Sequence, residues 1–514
     1  MEWSKYQKDV FANIASGEGH TVVNAVAGSG KTTTIVRSLE HVPHGAKTLF
    51  VAFNKKIAEN LKSVAPPGIE VSTLHSYGLK TVSASLGRLT IDNDRVIKRF
   101  ARDLYGDPWD LRYVLSKVVS LAKGTLAKDV TDIDELIDAF GIDIPKPKTL
   151  PVNDANQEGE EPPKSERELA QERRALMAMT NREAFCKDVF DTMLRCAKPL
   201  EEDGCMDFDD MIWLPLILDL PQRRFDRVFV DERQDLNAAQ IKMVMRSVKP
   251  GHGRICAVGD TRQAIYGFRG ADSGAMDKLI QELGATVLPL SVCYRCARNI
   301  VKEAQKIVPE IEPAPDAEDG VVRDVTETQM IDNAKAGDFI LSRTNAPLIS
   351  YCMMFLREGI PANIQGRDVG AALAAFVKKS NSPDVISLRN YVEEWRDAEC
   401  ERLAKKHRDT QAVEDRADCV LALSDGANSV AEVVARIQSL FADKDDYKRI
   451  ILSTTHKAKG LERDRVWVLT STYMRRPGIE EKNLYYVAVT RAKKELYLVK
   501  EDEEQEENGY FDGR

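Results

Sequence analysis

The stretch TVVNAVAGSGKTTT, residues 21–34, constrains this chain more than any other. A short apolar run suited to a buried strand passes into a loop carrying Gly28 and Gly30, and a helix-compatible segment follows at once. Two glycines at that spacing let the backbone close around an anion, with successive N–H groups and the helix N-terminus pointing at it. Lys31 is then placed to meet β- and γ-phosphates, and the hydroxyl of Thr32 to ligate Mg²⁺. The cradle runs through Ala27, Gly28, Ser29, Gly30, Lys31, Thr32 and Thr33. Ala25 stands where a glycine is often found, a position that needs only a small side chain.

A strand–loop–helix of this kind needs a parallel sheet around it, and the chain supplies the strands. Apolar, β-rich runs lie at 21–25, 48–53, 227–230, 254–258, 285–290, 338–342, 450–454, 465–470 and 495–499, with helical segments such as 31–39 and 57–64 between several of them. That alternation predicts α/β architecture with parallel sheets covered on both faces. In the run Arg227–Val230 the apolar residues end in Asp231 and Glu232, which puts two carboxylates at the carboxyl edge of the sheet beside the phosphate loop. Asp231 is suited to hold Mg²⁺ through water, and Glu232 to orient and deprotonate an attacking water. Together the two motifs point to a nucleotide hydrolase.

Composition sets the outer limits. With 514 residues and 43% hydrophobic content, the chain can build several domains. No apolar run approaches the roughly 18 residues needed to span a bilayer, and the N-terminal residues lack an apolar signal core, so membrane and secreted classes are excluded. The nine scattered cysteines read as reduced thiols, and the single C-x-x-C, Cys293 to Cys296, has no second pair or nearby histidine to make a zinc site. The net charge of −8 is concentrated in the segments 154–166 and 501–514, so the rest of the chain is near neutral and can present a basic groove. Residues 145–165, rich in proline and acid, and the acidic tail 501–514 are expected to stay disordered.

The order of further motifs resembles that of superfamily 1 helicases of the UvrD/Rep kind. The resemblance rests on Gln7, AVAGSGKT, LFVAFNKKIAEN (49–60), STLHSYG (72–78), MDFDDMIW (206–213), VFVDERQDLN and AVGDTRQAIYGFRGAD (257–272). It continues through LSVCYRC (290–296), LSRTNAPL (341–348), STTHKAKGLE (453–462) and NLYYVAVTRAKKELYLV (483–499), so it covers nearly the whole chain. The segment FVAFNKKIAEN is most similar to the branch containing the F-box DNA helicases, although no F-box is discernible.

The resemblance implies two RecA-like motor domains, 1–85 with 206–285 and 286–374 with 441–500, carrying helical inserts at 86–205 and 375–440. It implies that Gln7 reads the adenine edge, Tyr294 stacks on the base and Glu462 meets the ribose, while Gln263, Arg295 and Arg491 contact the γ-phosphate. For single-stranded DNA it implies stacking or backbone contacts by Phe53, Asn54, Thr73, His75, Tyr266, Phe268, Arg343 and His456. The implied activity is Mg²⁺- and ATP-dependent movement 3′ to 5′ on single-stranded DNA and at single/double-strand junctions, in repair or recombination. A DNA-stimulated ATPase that clears proteins from single strands, or a sensor subunit, is the alternative. A cytoplasmic, nucleoid-associated or nuclear location follows, with room for a loading protein and none for a membrane. Two departures stand out: Arg233, which either pairs with Asp235 or faces nucleic acid, and Cys296, where a hydroxyl-bearing helix cap is usual.

Overall fold

The computed structural model describes residues 2–52, 55–147, 165–265, 280–405, 410–441, 447–473 and 478–501. The acidic stretch 145–165, apart from its ends, and the tail beyond residue 501 lie outside the described residues, as do Phe53, Asn54, Tyr266 and Phe268. The chain divides into two compact units: residues 1–25 with 31–290, and residues 26–30 with 291–514.

In the first unit, β1 (Thr21–Ala25), β2 (Thr48–Ala52), β3 (Ile69–Thr73), β6 (Arg227–Val230), β7 (Arg254–Gly259) and β8 (Thr286–Leu290) form one parallel sheet in the order β3-β2-β6-β7-β1-β8. A second, small pair joins β4 (Thr90–Ile91) to β5 (Cys205–Met206). β8 runs parallel to β1 from Thr21↔Thr286 to Ala25↔Leu290. The expected boundary at residue 285 therefore moves to Leu290, because the strand assigned to the second motor domain completes the first sheet. β2 is buried at all five positions, as a strand covered on both faces must be.

The helices of the insert build their own core. Leu111, Leu115 and Val118 of the helix Trp109–Thr125 pack with Ile133 and Ile137 and with Phe185 and Val189, and this core reaches back to Val82 and forward to Leu220. It is therefore wider than the expected 86–205. Sealed within it are Arg95, which donates to Asp210 at 2.7 Å and pairs with Asp203 at 3.3 Å, and Lys123, which meets Asp207 at 2.7 Å and Asp210 at 2.8 Å. Burial pushes the Asp210 carboxyl up to about 6. Asp207 also caps the helix Phe208–Ile217 in a reciprocal box with Asp210. The acids of MDFDDMIW thus tie the insert to the helix Phe208–Ile217.

The second unit holds a short pair, β9 (Val292–Cys293) with β10 (Glu312–Pro313), and a six-stranded parallel sheet. Its strands are β11 (Val321–Thr326), β12 (Phe339–Ser342), β13 (Ala362–Ile364), β14 (Ile450–Thr454), β15 (Arg463–Leu469) and β16 (Ala492–Lys500), in the order β11-β16-β15-β12-β14-β13. Among the described residues, the helices Val385–Ala404, Gln411–Ser424 and Val430–Leu440 of its insert form no core separate from the sheet's. Leu388, Val420 and Ile437 share one cluster with Ile340 of β12 and Leu452 of β14.

Candidate nucleotide site and strand track

β1 ends at Ala25, and the helix Lys31–Ser38 begins after five intervening residues. Gly28 and Gly30 adopt φ of 68° and 73°, the left-handed region a side chain disfavours. The close approach at Gly28 is a second reason for glycine: a Cβ there would lie 2.6 Å from Arg295 Cβ and 2.8 Å from Cys293 Sγ, within the second unit. The Ser29 hydroxyl is buried without a hydrogen-bond partner among the described residues, which suits a loop built to receive a phosphate oxygen.

In the first unit the carboxyl ends of β6 and β7 converge on the helix that follows the loop. The Thr32 hydroxyl donates to Asp231 Oδ2 at 3.3 Å. Asp231 is 1% exposed, and its carboxyl is pushed up to about 6 by burial and by the charge of Glu232, against the pull of Lys31. A buried carboxylate beside a second acid and a threonine hydroxyl is a fitting ligand set for a divalent cation, so Thr32 and Asp231 would hold Mg²⁺. Glu232 has φ 50°, a strained conformation for a side chain with a Cβ, and its backbone N–H donates to Asp231 Oδ1 at 2.9 Å. Gln234 Nε2 donates to Glu232 Oε2, and Gln234 Oε1 accepts from the N–H of Asp260 at 3.1 Å. Asp260 in turn caps the turn Thr261–Gln263, on which Gln263 is buried. A continuous hydrogen-bonded path therefore links Asp231 and Glu232 to the turn bearing Gln263. Sequence reading missed Gln234 as the joint of this path; its place three residues after Asp231 was the available signal.

Other expected residues are occupied in ways the sequence does not reveal. Gln7 is buried, with its amide oxygen accepting from Ser4 N–H at 3.0 Å and its amide nitrogen donating to Thr34 at 3.0 Å. Arg233 is fully buried and donates to Asn24 of β1, so it does not face a nucleic acid. Cys296 is not the cap of the helix Arg298–Gln305; that position is Ala297, and Cys296 Sγ lies 3.8 Å from the Thr490 carbonyl. Thr33 is exposed on the first helical turn.

Within the second unit, Ala27 N–H donates to Tyr486 Oη at 2.8 Å, and the N–H of Tyr294 donates to the Gly28 carbonyl at 2.9 Å. Arg295 Nε lies 2.5 Å from Glu462 Oε2, and its Nη1 donates to the Thr490 carbonyl at 3.3 Å. Arg491 is buried, donating from Nε to Val487 O at 2.9 Å and from Nη1 to Leu461 O at 3.1 Å. Burial and the neighbouring Arg295 push its guanidinium down to about 10. Of the pair expected at the γ-phosphate, Arg491 is thus built into the unit's own backbone. Tyr294 is 46% exposed, with part of its ring on the surface.

Of the strand-track candidates, Thr73 caps the helix Leu74–Leu86, and His75 lies edge-on to the exposed ring of Phe208 at 6.0 Å. Burial lowers the His75 pKa, opposed by Asp209. Phe208 is a surface aromatic that sequence reading passed over; its position just after the cap Asp207 is what turns it outward. In the second unit Arg343 follows β12 directly, and His456 lies on the short helix Thr455–Ala458 after β14.

Two parallel sheets, a glycine-bent loop and a threonine–aspartate pair at the strand ends define a P-loop protein of RecA-like architecture. The UvrD/REP helicase N-terminal domain matches residues 6–284, and the UvrD-like helicase C-terminal domain matches residues 372–503. The chain belongs to the UvrD/Rep helicase family. It is 26% identical to ATP-dependent DNA helicase PcrA of Bacillus subtilis over 57% of this chain and 38% of that protein. It is 25% identical to F-box DNA helicase protein 1 of Schizosaccharomyces pombe over 93% of this chain and 55% of that protein. Against PcrA of Staphylococcus epidermidis the identity is 23%, over 74% and 54%. The chain spans about half or less of the length of these relatives.

Proposed function

We propose that this chain is a Mg²⁺- and ATP-driven motor that moves 3′ to 5′ along single-stranded DNA and opens duplexes at single/double-strand junctions, in repair or recombination. The observation that carries this reading is the Thr32–Asp231 pair at the carboxyl ends of the first sheet, beside Lys31. Mg²⁺ held by Thr32 and Asp231 would neutralise charge at the phosphates. Lys31 and the N–H groups of the loop bind the phosphate chain, and Glu232 takes the proton of the attacking water. Gln234 holds the Glu232 carboxylate in place and ties it to the turn of Gln263. The relatives, ATP-dependent DNA helicases and an F-box DNA helicase, support the substrate class.

A second reading, a DNA-stimulated ATPase that clears proteins from single strands, is favoured by the second insert. It shares its core with the motor sheet and adds no separate globule among the described residues. One experiment separates the two: ATP turnover with and without single-stranded DNA, alongside strand separation on 3′-tailed and 5′-tailed duplexes. Unwinding from the 3′ tail supports the first reading. Stimulated turnover without unwinding supports the second, and turnover indifferent to DNA overturns both.

A further inference from the structure

Arg343 leaves the carboxyl end of β12 in a loop that three separate segments pin down. Its backbone N–H donates to Thr472 Oγ1 at 3.0 Å. The N–H groups of Asn345 and Ala346 donate to Asp415 Oδ1 at 2.8 and 2.7 Å, and the Asn345 amide donates to Asp415 Oδ2 at 3.0 Å. Asp415 belongs to the insert helix Gln411–Ser424. The third contact is the side chain itself: Arg343 Nε donates to Glu481 Oε1 at 2.7 Å, with the two side chains only 21% and 15% exposed.

An acid so close to an arginine expected to meet phosphate looks counterproductive. The geometry gives it a different meaning. Glu481 engages only Nε, and among the described residues neither Nη group of Arg343 has a hydrogen-bond partner. A long, rotamer-rich side chain is thereby fixed with the outer edge of its planar fork unspent, the edge that matches a phosphate in bidentate fashion. Partial burial shields the pair from salt, so the orientation persists under conditions that weaken surface pairs. Neighbouring Glu480 has its carboxyl raised by burial and, against the pull of Arg343, by Glu481.

We propose that Glu481 is a positioning residue for the strand: it presents the free edge of Arg343 to a backbone phosphate of single-stranded nucleic acid. The proposal rests on the motor reading above and adds the residue that orients the contact.

The test measures binding of a fluorescent oligothymidylate by anisotropy at several salt concentrations, with melting temperature and DNA-free ATP turnover for each variant. Arg343→Ala is expected to weaken binding about tenfold and to flatten the slope of log affinity against log salt by about 0.7, the loss of one phosphate contact. Glu481→Gln keeps an acceptor for Nε and removes a negative charge, so affinity holds or rises up to about threefold. Glu481→Ala releases the fork, and affinity falls severalfold while the salt slope stays near the parent's. Tightening by both Glu481 variants would make Glu481 a mere competitor for Arg343 and overturn the proposal. Parent-like binding by Arg343→Ala would overturn it with the motor reading intact, whereas a parent protein that binds no single strand overturns both.

Discussion

Thr32 Oγ1 lies 3.3 Å from Asp231 Oδ2, joining the first turn after the phosphate loop to the end of β6 across 199 residues of sequence. Lys31, one residue earlier, acts on the same carboxylate. Lys31→Ala should abolish ATP turnover, at least a hundredfold down, while the far-UV spectrum stays unchanged and stability moves by less than about 0.5 kcal/mol. Near-parent turnover in that variant would remove the phosphate site from this loop.

Asp231 carries a cost that the nucleotide-free protein should reveal. Its folded pKa of about 6 lies above the ordinary carboxylate value of roughly 3.9. Between those values the folded state holds more protons than the unfolded state, so stability falls as pH rises from about 4 to 6 and stays lowered above that. Asp231→Asn should flatten part of this fall and gain about 2 kcal/mol at pH 7.5, while losing hydrolysis. Asp210 titrates in the same direction and leaves a residual slope. Urea unfolding at pH 4.5 and 7.5, parent against variant, reads the difference.

Glu232 combines a chemical role with a strained backbone. Glu232→Gln should keep Mg²⁺-dependent ATP binding and lower turnover by about 10²–10⁴-fold. Glu232→Gly should lose turnover equally yet gain about 1 kcal/mol, since glycine accepts φ 50° without penalty. A glycine variant less stable than the glutamine variant would show that the strain is not real.

Arg491 should matter for folding as well as for turnover. Lysine cannot reproduce the bonds from Nε to Val487 O and from Nη1 to Leu461 O. Arg491→Lys is therefore expected to cost the second unit about 1–3 kcal/mol, the scale of leaving buried acceptors unmet, in addition to slowing DNA-stimulated hydrolysis. Limited proteolysis, followed at sites in residues 291–501, checks the stability half; ATPase with saturating single strands checks the other.

The interior strands were legible in the sequence because a strand buried on both faces is a run of apolar residues, as TLFVA and IILST are. The strands of the two large sheets that went unread, β3, β11 and β13, all lie at sheet edges, and the charged pattern of VVRDVT in β11 carries no such signal. The same division holds for the site. Lys31, Thr32, Asp231 and Glu232 could be read because each sits at the end of one local strand motif. The employment of the Gln7 amide nitrogen by Thr34, and of Arg343 by Glu481 138 residues away, depends on where the fold brings distant segments.

Asp415 gives the second insert a meaning beyond its packing. One carboxylate on an insert helix supplies the acceptors for the loop that follows β12, so that loop is finished by residues borrowed from some 70 positions downstream. An engineer who trimmed the insert, or transplanted one from a relative, would be editing the loop that carries Arg343 without touching a motif. Beyond the apolar core it shares with the sheet, the insert is thus a fixed fitting of this loop.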